Sequence, residues 1–77
     1  MRELLEFLAR SLVENPDEVA VTEVEEIDGE VVLDLEVAED DLGRVIGRSG
    51  RVANALRSVM KAAATREEKR VVVDILD

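Results

Sequence analysis

From Arg2 to Glu14 the chain reads RELLEFLARSLVE, with Leu4, Leu8 and Leu12 at four-residue intervals and Leu5, Phe7 and Val13 beside them. That spacing predicts an amphipathic helix over 2–14 carrying one apolar stripe. Asn15-Pro16 ends it, because the proline ring pushes the preceding residue out of the helical region. Val19 to Ile27 is rich in β-branched residues and predicts a strand. Val31, Leu33, Leu35 and Val37 then alternate with Val32, Asp34 and Glu36, the two-residue period of a second strand with one face buried. Between the strands, Asp28-Gly29 favours a two-residue type I′ hairpin turn. A turn there faces Val24 toward Leu33 but sends Val21 and Ile27 to the other side, which leaves room for a bulge or a longer loop.

Glu39, Asp40 and Asp41 open a short helix that carries Leu42, Val45 and Ile46. Acids in a first turn complement the helix dipole, and Gly47 is a natural stop. The same carboxylates could hold a metal or act as an acid–base pair, but no histidine accompanies them and a helix start accounts for them. A further helix is expected from about Gly50 to Thr65. Val52, Leu56, Val59, Met60 and Ala63 would form its buried side, with Arg51, Asn54, Arg57, Ser58 and Lys61 opposite. The last run, Arg70 to Leu76, predicts a strand with Val71, Val73 and Ile75 on one face. The order helix, strand, strand, short helix, helix, strand describes an α+β fold: a three-stranded sheet with helices packed on one face. No repeat, linker or low-complexity tract divides residues 1–77, so one domain is expected.

Composition narrows the chemistry. A chain of 77 residues and 8.5 kDa buries roughly 60–65% of the surface its unfolded form exposes, too little for a deep enclosed active site. With no cysteine there are no disulfides, thiolate metal sites or thiol nucleophiles, and with no histidine the commonest metal ligand is missing. A non-enzymatic protein without metal or cofactor is expected. No apolar run approaches the ~20 residues that span a bilayer, and no charged-then-apolar leader precedes the first helix. That predicts a soluble, cytoplasmic protein with no membrane partner.

The net charge of −9 argues against a nucleic-acid partner until it is divided along the chain. Residues 1–43 hold two basic and fifteen acidic side chains, a net of −13, whereas residues 44–77 hold eight basic and four acidic ones, a net of +4. Arg44, Arg48, Arg51, Arg57 and Lys61 follow one another with no acid between them. Such segregation places a basic surface on an acidic body; the plainer reading is a solvated helix face beside an acidic sheet.

The segment Gly43-Arg44-Val45-Ile46-Gly47-Arg48-Ser49-Gly50-Arg51 is the most informative in the chain. It is a Gly-x-x-Gly loop between two helices, with one arginine inside it and another just after. Glycines permit unusual dihedrals and a close approach of ligand to backbone. The second helix directs its N-terminal N–H groups at the loop, a favourable place for phosphate, and Arg48 and Arg51 add multidentate cations. The structural alternative is a tight linker with Gly47 as C-cap and Ser49 as N-cap of the next helix. Gly43-x-x-x-Gly47-x-x-Gly50 does not match Gly-x-Gly-x-x-Gly, and no strand leads directly into it, so the segment fits a dinucleotide site poorly; without Gly-Lys-Ser/Thr it is not a Walker A loop. A strand-first RRM is also excluded, because a single Phe leaves no aromatic platform for bases.

Val-Ile-Gly-Arg-Ser-Gly-Arg in an α-β-β-α-α-β order resembles a KH domain of type II topology. The resemblance is closest to the small stand-alone bacterial KH proteins of the KhpA (YlqC-like) family. It covers nearly all 77 residues and includes the Asn15-Pro16-Asp17-Glu18-Val19 turn. Ala53 departs from the general KH pattern, which often has a larger aliphatic residue there; Val52 and Leu56 are expected to fill that space.

The resemblance implies single-stranded RNA binding without catalysis, as an RNA chaperone or post-transcriptional regulator. KH domains clamp about four nucleotides by the backbone while bases lie against an aliphatic groove. Carried onto this chain, Gly47, Arg48, Ser49 and Gly50 form the clamp. Arg44, Arg51, Arg57 and Lys61 are flanking phosphate contacts. Val45 and Ile46 read first as ordinary core residues and second as support for the groove, with Leu33 or Leu35 as neighbours on a facing strand; the alternative for Arg57 and Lys61 is a solvated helix face. The resemblance further implies a homodimer, or a heterodimer with a larger multi-domain KhpB-like KH protein. The acidic first half keeps a second reading open, a protein–protein adaptor that retains the fold with little RNA binding.

Overall fold

The alternation at Val31, Leu33 and Leu35 turns those side chains to one face of a strand, where they form the centre of the core. The structure is a computed structural model; it describes the backbone of residues 1–77 and every side chain except that of Glu25. Helix α1 (Arg2–Leu12) is followed by a 3-10 turn at Pro16–Glu18 and by strands β1 (Ala20–Ile27) and β2 (Glu30–Glu36). A second 3-10 turn at Glu39–Asp41 runs into helix α2 (Leu42–Ile46). A third, Arg48–Gly50, leads to helix α3 (Arg51–Arg66) and strand β3 (Arg70–Ile75). The sheet order is β1-β2-β3, antiparallel between β1 and β2 and parallel between β2 and β3. The parallel pair requires a crossover, and α2 and α3 supply it on the same face that α1 covers. This is the α+β arrangement that the order of elements predicts.

Asp28 and Gly29 both have positive φ, 51° and 79°, as a type I′ turn requires. The tight turn and the pattern of β1 are reconciled by a β-bulge. Glu25 pairs with Val32 and Glu23 with Leu33, so Val24 is the extra residue. One inserted residue reverses the facing of everything before it. Val21 thereby pairs with Leu35 and is 8% exposed, while Val24 is 55% exposed and does not face Leu33 as a regular strand would have it.

Two helix faces differ from expectation. In α1 the fully buried residues are Leu5 and Ala9; Leu4 and Leu8 flank them, and Leu12 and Phe7 are exposed. In α3 the buried line is Ala53, Leu56, Met60 and Ala64, whereas Val59 is exposed and Val52 and Ala63 are half-buried. In both cases alanine occupies the closest approach of helix to neighbour, and a reading weighted by side-chain bulk rotates the helix away from it. α1 also stops at Leu12 rather than Glu14, because Val13 is already extended.

Helix α3 closes on a Schellman motif: the Lys69 N–H donates to the Ala64 carbonyl at 2.8 Å and the Glu68 N–H to Thr65 at 3.0 Å. Glu68 takes the left-handed position with φ 57°, where glycine is usual. Lys69 then reaches back to Glu26 on β1 at 3.1 Å. That contact holds the Lys69 ammonium pKa above its ordinary value, chiefly through the hydrogen bond the ammonium donates to Glu26 and the charge of that carboxylate.

Candidate nucleic-acid interface

The loop between α2 and α3 is built by three backbone positions with positive φ. The Gly47 N–H donates to the Gly43 carbonyl at 2.8 Å and closes α2. Gly47 has φ 74° and ψ 174°, a region open essentially to glycine alone. Ser49 (φ 55°) and Gly50 (φ 76°) then turn the chain left-handed into α3. The Gly50 N–H donates to the Gly47 carbonyl at 3.2 Å, and the Arg51 N–H to the Arg48 carbonyl. Ser49 does not cap α3 as the linker reading expects; Gly50 holds the N-cap position, and no side chain caps the helix.

Those bonds decide which backbone donors remain. The amides of Gly47, Gly50 and Arg51 are spent on carbonyls of the loop and of α2, so the first N–H of α3 is already engaged. The Arg48 and Ser49 amides have no acceptor among the described residues, and both residues are exposed. Successive unpaired N–H groups in a tight turn form a small concavity suited to an anion.

The candidate cations divide by how they are already held. Arg44 is tied to Glu14 and, at 3.7 Å, to Asp41. Arg57 donates from Nε to the Val73 carbonyl of β3 at 3.2 Å, which directs it along the edge of the sheet. Arg48, Arg51 and Lys61 have no carboxylate partner among the described residues. Lys61 lies eleven residues beyond Gly50 on α3, or ~16 Å along the axis at ~1.5 Å per residue, so it belongs to the α3–β3 side and not to the loop. The loop's own cations are therefore Arg48 and Arg51.

The apolar candidates also separate. Ile46 is 37% exposed beside Gly47 and is available to a ligand. Val45 is wholly buried and supports the loop from below. Leu33 and Leu35 lie on the central strand with no exposure, so they are core residues and cannot line a groove, contrary to expectation. Ala53 is buried within the core side of α3, with Val52 and Leu56 packed beside it.

The sequence reading missed what anchors the loop to the rest of the molecule. Asp41, 1% exposed, is the buried charged residue among those described. Its carboxylate accepts from the Glu14 N–H at 3.0 Å, the Asn15 N–H at 2.9 Å and the Asn15 side-chain amide at 2.9 Å. The hydrogen bond from the Glu14 amide does most to hold the Asp41 pKa below 3.8; burial opposes it, and Asn15 and Arg44 add to the lowering. The chain leaving α1 is thus bound to the entry of α2, and Glu14–Arg44 fastens the same junction from outside. No sequence signal separated Asp41 from Glu39 and Asp40, because its donors, on Glu14 and Asn15, lie 27 and 26 residues away.

The KH-domain family shared by KhpA and KhpB matches residues 2–75. The chain belongs to that family. A protein named RNA-binding protein KhpA from Clostridium acetobutylicum is 55% identical over 99% of this chain and 100% of its own length. The KhpA of Clostridium perfringens is 50% identical over the same shares, and that of Aquifex aeolicus 44% identical over 100% of this chain and 96% of its own. These relatives are named as RNA-binding proteins, and the KhpA family is not an enzymatic one. Among solved structures, a crystal structure of Era in complex with MgGDPNP and nucleotides 1506–1542 of 16S ribosomal RNA superposes with a TM-score of 0.57. It is 18% identical and covers 96% of this chain and 28% of that one, so the likeness is of fold. Among the described residues no helix is long and apolar enough to cross a membrane.

Proposed function

We propose that this KhpA-family chain binds single-stranded RNA without catalysis, its Gly47-Arg48-Ser49-Gly50 loop gripping the sugar-phosphate backbone. The observation that carries the reading is the pair of unpaired amides at Arg48 and Ser49, exposed in a loop whose arginines, Arg48 and Arg51, no carboxylate of the described residues neutralises. A phosphate placed there receives backbone and side-chain donors together. Ile46 offers an aliphatic surface for a base next to the grip. Arg57 is a second contact farther along α3, and Lys61 a third for a longer strand.

Two or three phosphate contacts give a log–log salt slope of about −1.4 to −2 on single strands. The acidic first half opposes long-range attraction, so the isolated monomer binds weakly, in the micromolar range or above. Useful affinity then comes from pairing, as a homodimer or with a KhpB-like partner, which raises effective concentration for one RNA. The matched family includes the KH domains of both KhpA and KhpB, so either partner would present a KH fold of the same kind. Weak, backbone-directed binding suits a role as an RNA chaperone or post-transcriptional regulator.

The test is fluorescence anisotropy with a single-stranded RNA at two salt concentrations, comparing the protein with an Arg48→Asp, Ser49→Asp double variant. Aspartate tolerates the left-handed backbone at position 49, so the variant keeps the fold by circular dichroism. Loss of at least tenfold in affinity supports the clamp; unchanged affinity in the folded variant rejects it and favours the adaptor reading.

A further inference from the structure

Helices cover only one face of this sheet. Parallel strands are usually covered on both faces, yet the outer face of the parallel β2–β3 pair carries nothing. Its rows follow from the register: Glu30 beside Arg70, Val32 beside Val72, and Asp34 beside Asp74, with Thr22 of β1 next to Asp34. Val72 and Ile27 are exposed and Val32 is half-buried, so aliphatic side chains lie open to solvent on this face.

The third row breaks a local rule. Asp34 and Asp74 are direct neighbours on adjacent strands, and like charges in that position destabilise a sheet. Neither forms an ion pair among the described residues. One residue farther along the same face, Glu36 and Leu76 lead to a shallow depression completed by Val37, Glu39, Leu42 and Asp77. Aliphatic surface beside unneutralised carboxylates is thus repeated twice along β2 and β3. A local violation with no compensation within the chain marks a surface whose compensation comes from outside it.

We propose that the outer face of the sheet docks a protein segment that carries lysine or arginine on either side of aliphatic residues. Cations of that segment neutralise the Asp34–Asp74 pair, and its aliphatic side chains cover Val32 and Val72. Charge selects this occupant over two others. RNA is repelled by the carboxylates. A second copy presenting the same face, where Glu30, Asp34, Glu36 and Asp74 outnumber the one cation Arg70, sets net negative charge against net negative charge. The site is separate from the α2–α3 loop and does not depend on the RNA reading.

The experiment titrates 15N-labelled protein with a peptide of alternating lysine and leucine, with a glutamate/leucine peptide and with a lysine/serine peptide. Expected are shifts centred on the amides of Val32, Asp34, Val72 and Asp74 with the first peptide. Affinity is at least tenfold lower for the other two, and a short single-stranded RNA does not displace the first. An Asp34→Asn, Asp74→Asn double variant binds the lysine/leucine peptide at least tenfold more weakly while melting no lower than the parent, because repulsion has been removed. Shifts centred elsewhere on the acidic surface overturn the proposal, as does equal binding of the lysine/serine peptide or undiminished affinity in the double variant. Concentration-dependent shifts of the same four amides without peptide assign the face to a second copy and overturn it equally.

Discussion

A Cβ on Gly47 would lie 2.5 Å from Cγ2 of Val52 and 2.9 Å from its backbone nitrogen. The loop therefore closes against the first turn of α3 with no room for a side chain, and Val52 fixes how far Arg48 and Ser49 project. Gly50 has only a distant neighbour, the Asn54 side-chain amide at 4.0 Å, so its glycine serves φ alone. Gly47→Ala should cost at least about 2 kcal/mol, from a glycine-only conformation plus a backbone clash. Gly50→Ala should cost about 1 kcal/mol. Urea denaturation of both variants measures the difference; equal losses would contradict the contact with Val52.

Asp41 makes the junction of α1 and α2 acid-sensitive. Its folded pKa is depressed, so its contribution is present above the ordinary aspartate value of 3.8 and is lost as pH falls through the lower folded value. Asp41→Asn presents an amide donor to a site lined by the N–H groups of Glu14 and Asn15. The variant should melt more than about 5 °C below the parent at neutral pH, and the gap should narrow at pH 3. A gap independent of pH would show that packing, not the carboxylate, holds the junction.

Glu68 stands where a helix end favours glycine, and both Glu67 and Glu68 place negative charge at the C-terminus of α3. Glu68→Gly should stabilise the protein by about 0.5–1 kcal/mol without touching the candidate interface. Thermal unfolding checks the gain, and RNA affinity should stay unchanged.

Gly43 is helical, and an added Cβ there meets no atom within 4 Å. Gly43→Ala should raise stability by about 0.4–1 kcal/mol. A loss of RNA affinity in this more stable variant would show that ligand approaches the surface of α2 itself; unchanged affinity would confine the contact to the loop.

The order of elements, the hairpin turn and the Gly-x-x-Gly segment were legible because each rests on local chemistry: a period, an Asp-Gly pair, glycines between helices. The bulge at Val24 was legible only as a conflict between a tight turn and the facing of Val21. The rotated faces of α1 and α3 were not, because Ala9, Ala53 and Ala64 mark close approach by being small, and smallness gives a weak periodic signal. Leu33 and Leu35 were assigned to a groove from resemblance, whereas their position on the central strand commits them to the core. Arg44 and Arg57 read as free cations because Glu14 and the Val73 carbonyl are distant in sequence. The candidate site was thus found as a segment, while the standing of its individual donors depended on tertiary contacts.

The salt dependence separates the loop's cations from the rest. Arg51→Ala should reduce the magnitude of the log–log slope by about 0.7, one single-strand phosphate contact. Lys61→Ala should leave the slope unchanged for a four-nucleotide RNA and reduce it only for a longer one. Anisotropy titrations over a series of salt concentrations make the comparison, and equal effects on the short RNA would contradict the separation along α3.

The most direct measurement is a two-dimensional 15N amide spectrum recorded during titration with a four-nucleotide single-stranded RNA. The largest shifts should fall on Arg48 and Ser49, with smaller ones at Ile46, Gly47, Gly50 and Arg51 and none on the outer face of the sheet. Shifts centred away from the loop, or no shift at millimolar RNA in the folded protein, would contradict a backbone grip at that turn.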